Sequence, residues 1–125
     1  KASIAPGTTN VGTIHAISVE TGKTLWKYEQ RAGTMSLVST AGGLVFGGDT
    51  AGRFRALDQK TGKVLWEVNL GSSVTGYPIS YSVNGRQYVA VSTGTSLAGG
   101  GTSQLTPEIR ASAGNNIFVF ALPER

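Results

Sequence analysis

Residues 16–26, Ala-Ile-Ser-Val-Glu-Thr-Gly-Lys-Thr-Leu-Trp, return forty positions later as Ala56-Leu-Asp-Gln-Lys-Thr-Gly-Lys-Val-Leu-Trp66. Aligning Gly12–Trp26 with Gly52–Trp66 gives seven identities in fifteen positions: Gly12/Gly52, Ala16/Ala56, Thr21/Thr61, Gly22/Gly62, Lys23/Lys63, Leu25/Leu65 and Trp26/Trp66. A fixed period of this length marks a repeat architecture, in which neighbouring copies cover faces that no copy can bury alone. In each copy Thr-Gly-Lys separates two short apolar runs. Glycine supplies the positive φ of a tight turn, so each copy reads as strand, Thr-Gly turn, then strand ending in Trp. Repeats of about 40–45 residues built from four strands are the size of β-propeller blades. The expected fold class is all-β, as part of a propeller.

Two copies and a tail amount to between two and three blades. A closed ring needs four to eight at about 40 residues each. With 125 residues the chain is expected to be a piece of a larger propeller, or to assemble with further copies. Eighteen glycines and a charged fraction of 14% suit a turn-rich β protein. The net charge of +4 is spread along the chain over Lys23, Lys27, Arg31, Arg53, Arg55, Lys60, Lys63, Arg86, Arg110 and Arg125. A nucleic-acid reader concentrates such residues on one element with interleaved aromatics, so these read as a solvated set and no nucleic-acid partner is expected. With no cysteine there is no disulfide framework, thiolate metal site or thiol nucleophile. No apolar run reaches the length of a membrane-spanning helix, and Lys1–Pro6 lacks the apolar core of a signal peptide.

The chain as a whole, 1–125, divides into repeats at about 12–51 and 52–93, a loop over 94–114 and a closing strand over 116–122. Strands are expected at Gly12–Val19, Leu25–Glu29, Met35–Ser39, Leu44–Gly47, Arg53–Asp58, Val64–Leu70, Val74–Val83 and Arg86–Thr93, with Arg31–Thr34 in a loop. Asn84-Gly85 is the strongest two-residue hairpin signal in the chain. Pro78 cannot donate to a ladder, so it belongs near a strand end, a bulge or an unpaired side. Over 94–114 no periodicity survives, and loops of that length are functional or disordered. The final copy stops one strand short. Propellers close when a strand from the other end completes the last blade, so the expectation is the C-terminal end of a longer protein. Such a piece would expose sheet edges and an apolar blade face and dissolve poorly by itself.

Little chemistry is expected from this chain alone. Trp26 and Trp66 are large enough to dock onto the next blade, with the indole face on the Thr-Gly peptide of the adjacent copy. Lys23 and Lys63 read as turn lysines and Asp58 as a turn cap. His15 is the lone histidine, so one chain cannot form a two-His metal site, and its alignment with Arg55 suggests a rim or solvent role. Ser39 and Thr40 lack the elbow sequence of a serine nucleophile. Asp49, in Gly47-Gly-Asp-Thr-Ala-Gly52, reads as an Asx turn or a cation ligand.

Ala-x-Asp-x-x-Thr-Gly-Lys-x-x-Trp resembles the tryptophan-docking motif of the pyrroloquinoline quinone (PQQ) dehydrogenases, the methanol and ethanol dehydrogenase family of eight-bladed propellers. Ala56, Asp58, Thr61, Gly62 and Trp66 match it fully; Ala16, Thr21, Gly22 and Trp26 match with Ser18 in place of Asp. Four further stretches resemble that family's C-terminal region: Thr40–Asp49 with Gly52-Arg-Phe, Gly76–Tyr81, Asn84–Val91 and Asn116–Pro123. The resemblance spans residues 11–123 and implies the C-terminal blades of a periplasmic enzyme. Such enzymes hold PQQ and calcium on the propeller axis and oxidise a primary alcohol by hydride transfer to the quinone. They then pass electrons to a periplasmic cytochrome. The family's calcium ligands, base Asp and adjacent cysteines have no matching position here, so this piece implies blade packing, ring closure and part of the cofactor pocket, not catalysis alone. Two loops are implied to touch the cofactor. One carries Thr34, Met35 and Ser36 where the family often has Trp and glycines. The other, Gly94-Thr-Ser-Leu-Ala98, carries Leu97 and Ala98 where the family's Gly-x-Gly-Gly-Trp has its last Gly and Trp. A non-enzymatic propeller of the same kind, acting as a protein-binding scaffold in outer-membrane assembly, also carries the docking motif.

Overall fold

The computed structural model describes residues 3–95, 99–110 and 112–123, with no account of the side chains of Thr34 and Met35. Nine strands follow one another: β1 Gly12–Ile17, β2 Thr24–Gln30, β3 Gly33–Ser39, β4 Leu44–Asp49, β5 Arg53–Asp58, β6 Val64–Asn69, β7 Ile79–Val83, β8 Arg86–Thr93 and β9 Asn116–Ala121. They form three antiparallel sheets, β1-β2, β3-β4-β5-β6 and β7-β8-β9. The sheets are offset from the sequence repeat. Each copy gives its first hairpin to the outer side of one sheet and its second to the next.

Two segments differ from expectation. The strand expected over Val74–Val83 begins only at Ile79, because buried Pro78 has no N–H for a ladder; upstream, Val74 keeps a single bridge to Thr93. The 94–114 segment contains a helix, α1 at Gly99–Leu105, where a loop was expected. Its first three residues are glycines, poor helix formers, so nothing local announced it. The closing bonds come from Thr106, fully buried, whose amide and hydroxyl both donate to the Thr102 carbonyl at 3.0 and 2.8 Å.

Packing sits between sheets. Phe54 and Ala56 point from β5 toward the third sheet. With Phe46, Val74, Val89 and Val91 they make a fully buried cluster, rimmed by Val68, Phe118 and Phe120. Phe54 stacks between Phe46 and Phe120, with ring centres at 6.0 and 5.9 Å. Burying one such phenyl ring contributes roughly 1.5–3 kcal/mol. The alternate residues of β5, Arg55 and Leu57, are buried on the opposite face. A central strand covered on both sides cannot show simple alternation, which is why 53–58 reads as buried throughout except at its ends.

The repeated motif supplies the joint between the first two sheets. Ala16 lies opposite Trp26 in β1-β2, and the indole rests on the turn after β5. Trp26 Nε1 donates to the Gln59 carbonyl at 2.9 Å, and a Cβ placed on Gly62 would lie 2.5 Å from the indole ring. Gly62 also holds φ at +71°, so it is required twice, for conformation and for room. Asp58 shapes this turn. One carboxylate oxygen accepts from the Lys60 amide, the Thr61 amide and the Thr61 hydroxyl at 2.8–2.9 Å. Ser18, its counterpart, accepts one bond, from the Thr21 amide at 3.2 Å. Trp66 lies opposite Ala56 but meets no Thr-Gly turn. Leu122-Pro123 follows β9, and Trp66 instead packs edge-on against Phe54 and Phe120.

The Gly62→Ala variant should be destabilised by well over 1 kcal/mol, because φ strain and the indole clash add. Gly85→Ala, at φ +78° with open space around it, should incur only the φ penalty of about 1 kcal/mol. Chemical denaturation of the two variants side by side measures the docking contact as their difference.

Candidate functional site

Antiparallel order sends every second connection to the same end of the sheets. The short turns 18–23, 40–43, 58–63 and 84–85 lie at one end. At the other lie the β2–β3 link, the β4–β5 turn, the 70–78 segment and the 94–115 segment. Backbone bonds stitch that second end together across sheets. Thr50 N–H donates to Ala32 O at 2.9 Å, Val74 N–H to Asp49 O at 3.1 Å, Gly94 N–H to Ser73 O at 2.9 Å and Ser112 N–H to Gly71 O at 3.3 Å. The Ser73 hydroxyl adds a 2.6 Å bond to Thr50 O.

Thr34, Met35 and Ser36 fall at this end, on β3, which begins at Gly33 and so takes in Thr34 as well as the expected strand from Met35. Here β3 bulges: Gly33 pairs with Asp49 and Leu37 with Gly47, so four steps on β3 oppose two on β4. A bulge of this kind re-aims side chains, and such bulges gather beside active sites. Ser36 is buried on it, at 5% exposure. The entry to the bulge is fixed from two sides. Buried Ala32 accepts from Thr50, and Gly33 lies so close to Gly12 that a Cβ on Gly33 would sit 3.0 Å from the Gly12 Cα. Leu97 and Ala98 lie outside the described residues, between the end of β8 and α1, which both lie at this end. A groove of about 390 Å³ runs beside the bulge along β1, lined by Val11–His15, Gln30, Gly33 and Leu37. The Gln30 side-chain amide oxygen is buried with no hydrogen-bond partner among the described residues, as is the Ser72 hydroxyl.

Arg31 is the hub that residue patterning did not single out. Its guanidinium donates to Thr9 O at 2.6 Å and to Leu105 O at 3.1 Å, and pairs with Glu108 at 2.6 Å. The Glu108 carboxyl is held below the usual range chiefly by its own backbone amide, with Arg31 adding to the effect against an opposing contribution from burial.

Arg55 corrects the reading of the basic residues as a solvated set. It is buried at 7% exposure, donates to Asp49 at 2.8 Å and to Glu67 at 2.5 Å, and lies 5.7 Å over the Tyr28 ring of the preceding sheet. Asp49 is buried with it and accepts from the Arg53 amide at 3.0 Å through its other oxygen. Both carboxylate oxygens therefore serve the fold, which leaves the Asx-like turn and removes the cation-ligand reading. His15, aligned with Arg55, is exposed. Among the described residues no group of three or more His, Asp or Glu side chains could hold a metal ion.

The family comparison agrees with this architecture. Residues 30–89 match the profile "Glucose/ethanol/alcohol dehydrogenase, beta-propeller domain". The chain belongs to the quinoprotein alcohol dehydrogenase family. It is 35% identical over 119 residues to the quinoprotein alcohol dehydrogenase PedE of Pseudomonas putida, covering 91% of this chain and 18% of that protein. Over 75 residues it is 47% identical to the lanthanide-dependent methanol dehydrogenase of Methylacidiphilum fumariolicum, covering 58% and 12% of the two chains. The solved structure of a europium-containing methanol dehydrogenase superposes with a TM-score of 0.81 at 31% identity, over 93% of this chain and 24% of that one. The chain spans about a fifth of the length of the curated relatives it matches. Its three sheets are thus blades of a quinoprotein propeller, and the relatives are bacterial.

Asp49→Ala should cost about 3 kcal/mol, the low end for a broken buried pair, because Arg55 loses its buried carboxylate but keeps Glu67; urea titration of the variant measures it. Acid should weaken the fold through other carboxylates. Burial raises the Glu67 pKa, but hydrogen bonds from Arg53 and Arg55 outweigh it and hold the group below its ordinary value. Asp58 is lowered chiefly by the Thr61 hydroxyl. A depressed folded pKa stabilises above the unfolded value of about 4 and is lost as pH falls through the folded one. Urea midpoints should hold from pH 7 to about 5 and then fall, less steeply in Glu67→Gln.

Proposed function

We propose that this chain is part of a PQQ-dependent alcohol dehydrogenase that oxidises a primary alcohol in the periplasm. In this reading it contributes blade packing, ring closure and one side of the cofactor pocket. The observation that carries the reading is the bulge at 34–36. Residues aligned with the family's cofactor loop sit on the one irregular stretch of β3, at the end of the blades where the long connections gather.

The chain's residues fit this part in a limited way. PQQ is a flat quinone bearing three carboxylates, and it asks its pocket for hydroxyl and amide donors and for a flat apolar wall. The Ser36 hydroxyl is a donor at the bulge, and the aligned positions otherwise hold Thr34, Met35, Leu97 and Ala98, a hydroxyl and three apolar residue types by sequence. The unmatched Ser72 hydroxyl gives the same end a further donor. In this reading the metal ion is held by residues of other blades. It is calcium or a lanthanide; the names of two relatives specify a lanthanide and europium. When bound, PQQ accepts the hydride of the alcohol carbon, and a base outside this chain takes the hydroxyl proton. This chain's own work is to hold the bulge and the 94–115 segment in place around the cofactor and to exclude water from it. A periplasmic cytochrome is the proposed electron acceptor; one relative bears the name methanol dehydrogenase [cytochrome c] subunit 1.

The full-length protein containing this segment should bind PQQ saturably, in a way that depends on added calcium or lanthanum. It should then reduce a redox dye on addition of ethanol or butanol. Absorbance and fluorescence titration followed by a dye assay tests both steps. A well-folded propeller that binds no PQQ with either metal refutes the enzyme reading and favours the protein-binding scaffold.

A further inference from the structure

Arg31 reaches three segments that are distant in sequence. Its guanidinium holds the N-terminal stretch through Thr9 O, the last turn of α1 through Leu105 O and the following turn through Glu108. Its own carbonyl accepts from Val11 N–H at 3.1 Å, so backbone and side chain both bind the N-terminal stretch. One residue on, Ala32 O is fixed by Thr50 N–H, and β3 with its bulge begins at Gly33. Arg31 is thereby linked along the chain to both segments aligned with cofactor loops, 34–36 and 97–98. Arg31 sits three positions before the first and grips the chain seven positions after the second.

The chemistry suits arginine. The α1 carbonyls at its C-terminal end have no intrahelical partner and carry partial negative charge, which a cation bearing N–H donors satisfies. Three acceptors in different directions need the guanidinium's planar fan of five donors. A lysine ammonium is a point charge that cannot span them. Thr106 closes onto Thr102 within the segment itself.

We propose that Arg31 is the positioning residue that fixes the 99–108 segment against the start of β3, so that its loss weakens binding of the anionic ligand held at that end. This deepens the functional reading above and rests on it for the identity of the ligand. Arg31 itself is not a catalytic residue.

The test uses the full-length protein with Arg31→Ala, Arg31→Lys and Glu108→Gln. Lys27→Ala, which removes an exposed cation paired with Glu29 on β2, is the control for lost charge. Hydrogen exchange of the metal-free, PQQ-free protein comes first. Arg31→Ala should speed exchange across 99–110 and 8–11 and leave β4–β6 unchanged. Arg31→Lys should fall between it and wild type, and Glu108→Gln should affect only 105–109. PQQ titration comes second, and Arg31→Ala should bind about tenfold more weakly, the scale on which loss of an orienting partner acts. Unchanged exchange across 99–110 in Arg31→Ala overturns the positioning role whatever the titration shows. Faster exchange with unchanged PQQ affinity overturns the link from segment to ligand. Wild-type protein that binds no PQQ refutes the functional reading and the ligand half of the proposal together, while the exchange result still decides the positioning role. If Arg31→Ala also frees β4–β6, the Arg31→Lys and Glu108→Gln comparison decides: exchange at 105–109 equal to wild type in both overturns the proposal.

Discussion

A four-stranded blade has two broad faces, and neither can stay in water if both are apolar. Everything else in this chain depends on how adjacent sheets cover one another. On β5 the demand is met from both sides at once, with Phe54 and Ala56 toward one neighbour and Arg55 and Leu57 toward the other. Each joint uses a tryptophan in a different way. Trp26 lies on the Gly62 turn and donates to Gln59 O, whereas Trp66 has no Thr-Gly turn to meet and takes edge contacts with Phe54 and Phe120. The third sheet shows the same demand unmet in this chain. Ile79, Val119 and Ile117 are more than half exposed on one of its faces. By register Val119 occupies the place of Phe54, and Ala121 that of Ala56.

The buried charges obey the same constraint. Arg55 points toward the first sheet from a position where an apolar residue would serve packing alone. It is tolerated because Asp49 and Glu67 accept from it and the Tyr28 ring covers it. The result ties β4, β5 and β6 to β2 through directional contacts, which sets how the blades sit against each other as well as how tightly. That geometry carries to the loop-bearing end, where Asp49 is the last residue of β4 and Val74 N–H donates to its carbonyl. Structural polarity inside the blades and positioning of the outer loops are therefore one connected network.

How much could be read from residues alone varied with how local the cause was. Thr-Gly turns, the Asn84-Gly85 hairpin and the strands around them follow from backbone preferences within a few residues, and Asn84 and Gly85 do take positive φ. Trp26 docking onto the Thr-Gly peptide was also readable, since the repeat puts the same two features one blade apart. Arg55 was not, because an arginine looks the same in sequence whether its partners lie in solvent or on two other strands. The burial of Asp49 against Arg55 was hidden for the same reason. Helix α1 was hidden behind three glycines, and the closing Thr106 bonds declare themselves only in place. The bulge at 34–36 depends on register against β4, which no local pattern encodes. Arg31 gave a weak signal, a lone cation between strands, with all three of its partners far along the chain.

The sequence by itself determined the repeat, the all-β class, the turns and the Trp26 joint, because these arise from φ preferences and from side chains spaced at a fixed period. It determined the family as well, through ordered stretches that the comparisons bear out. Only the tertiary structure decided which polar groups are buried and what matches them, how β3 departs from its ladder, and that Arg31 binds three remote segments. Those outcomes rest on pairings across dozens of residues. Their free energy comes from groups removed from water together, and the neighbours that remove them are fixed only when the blades pack.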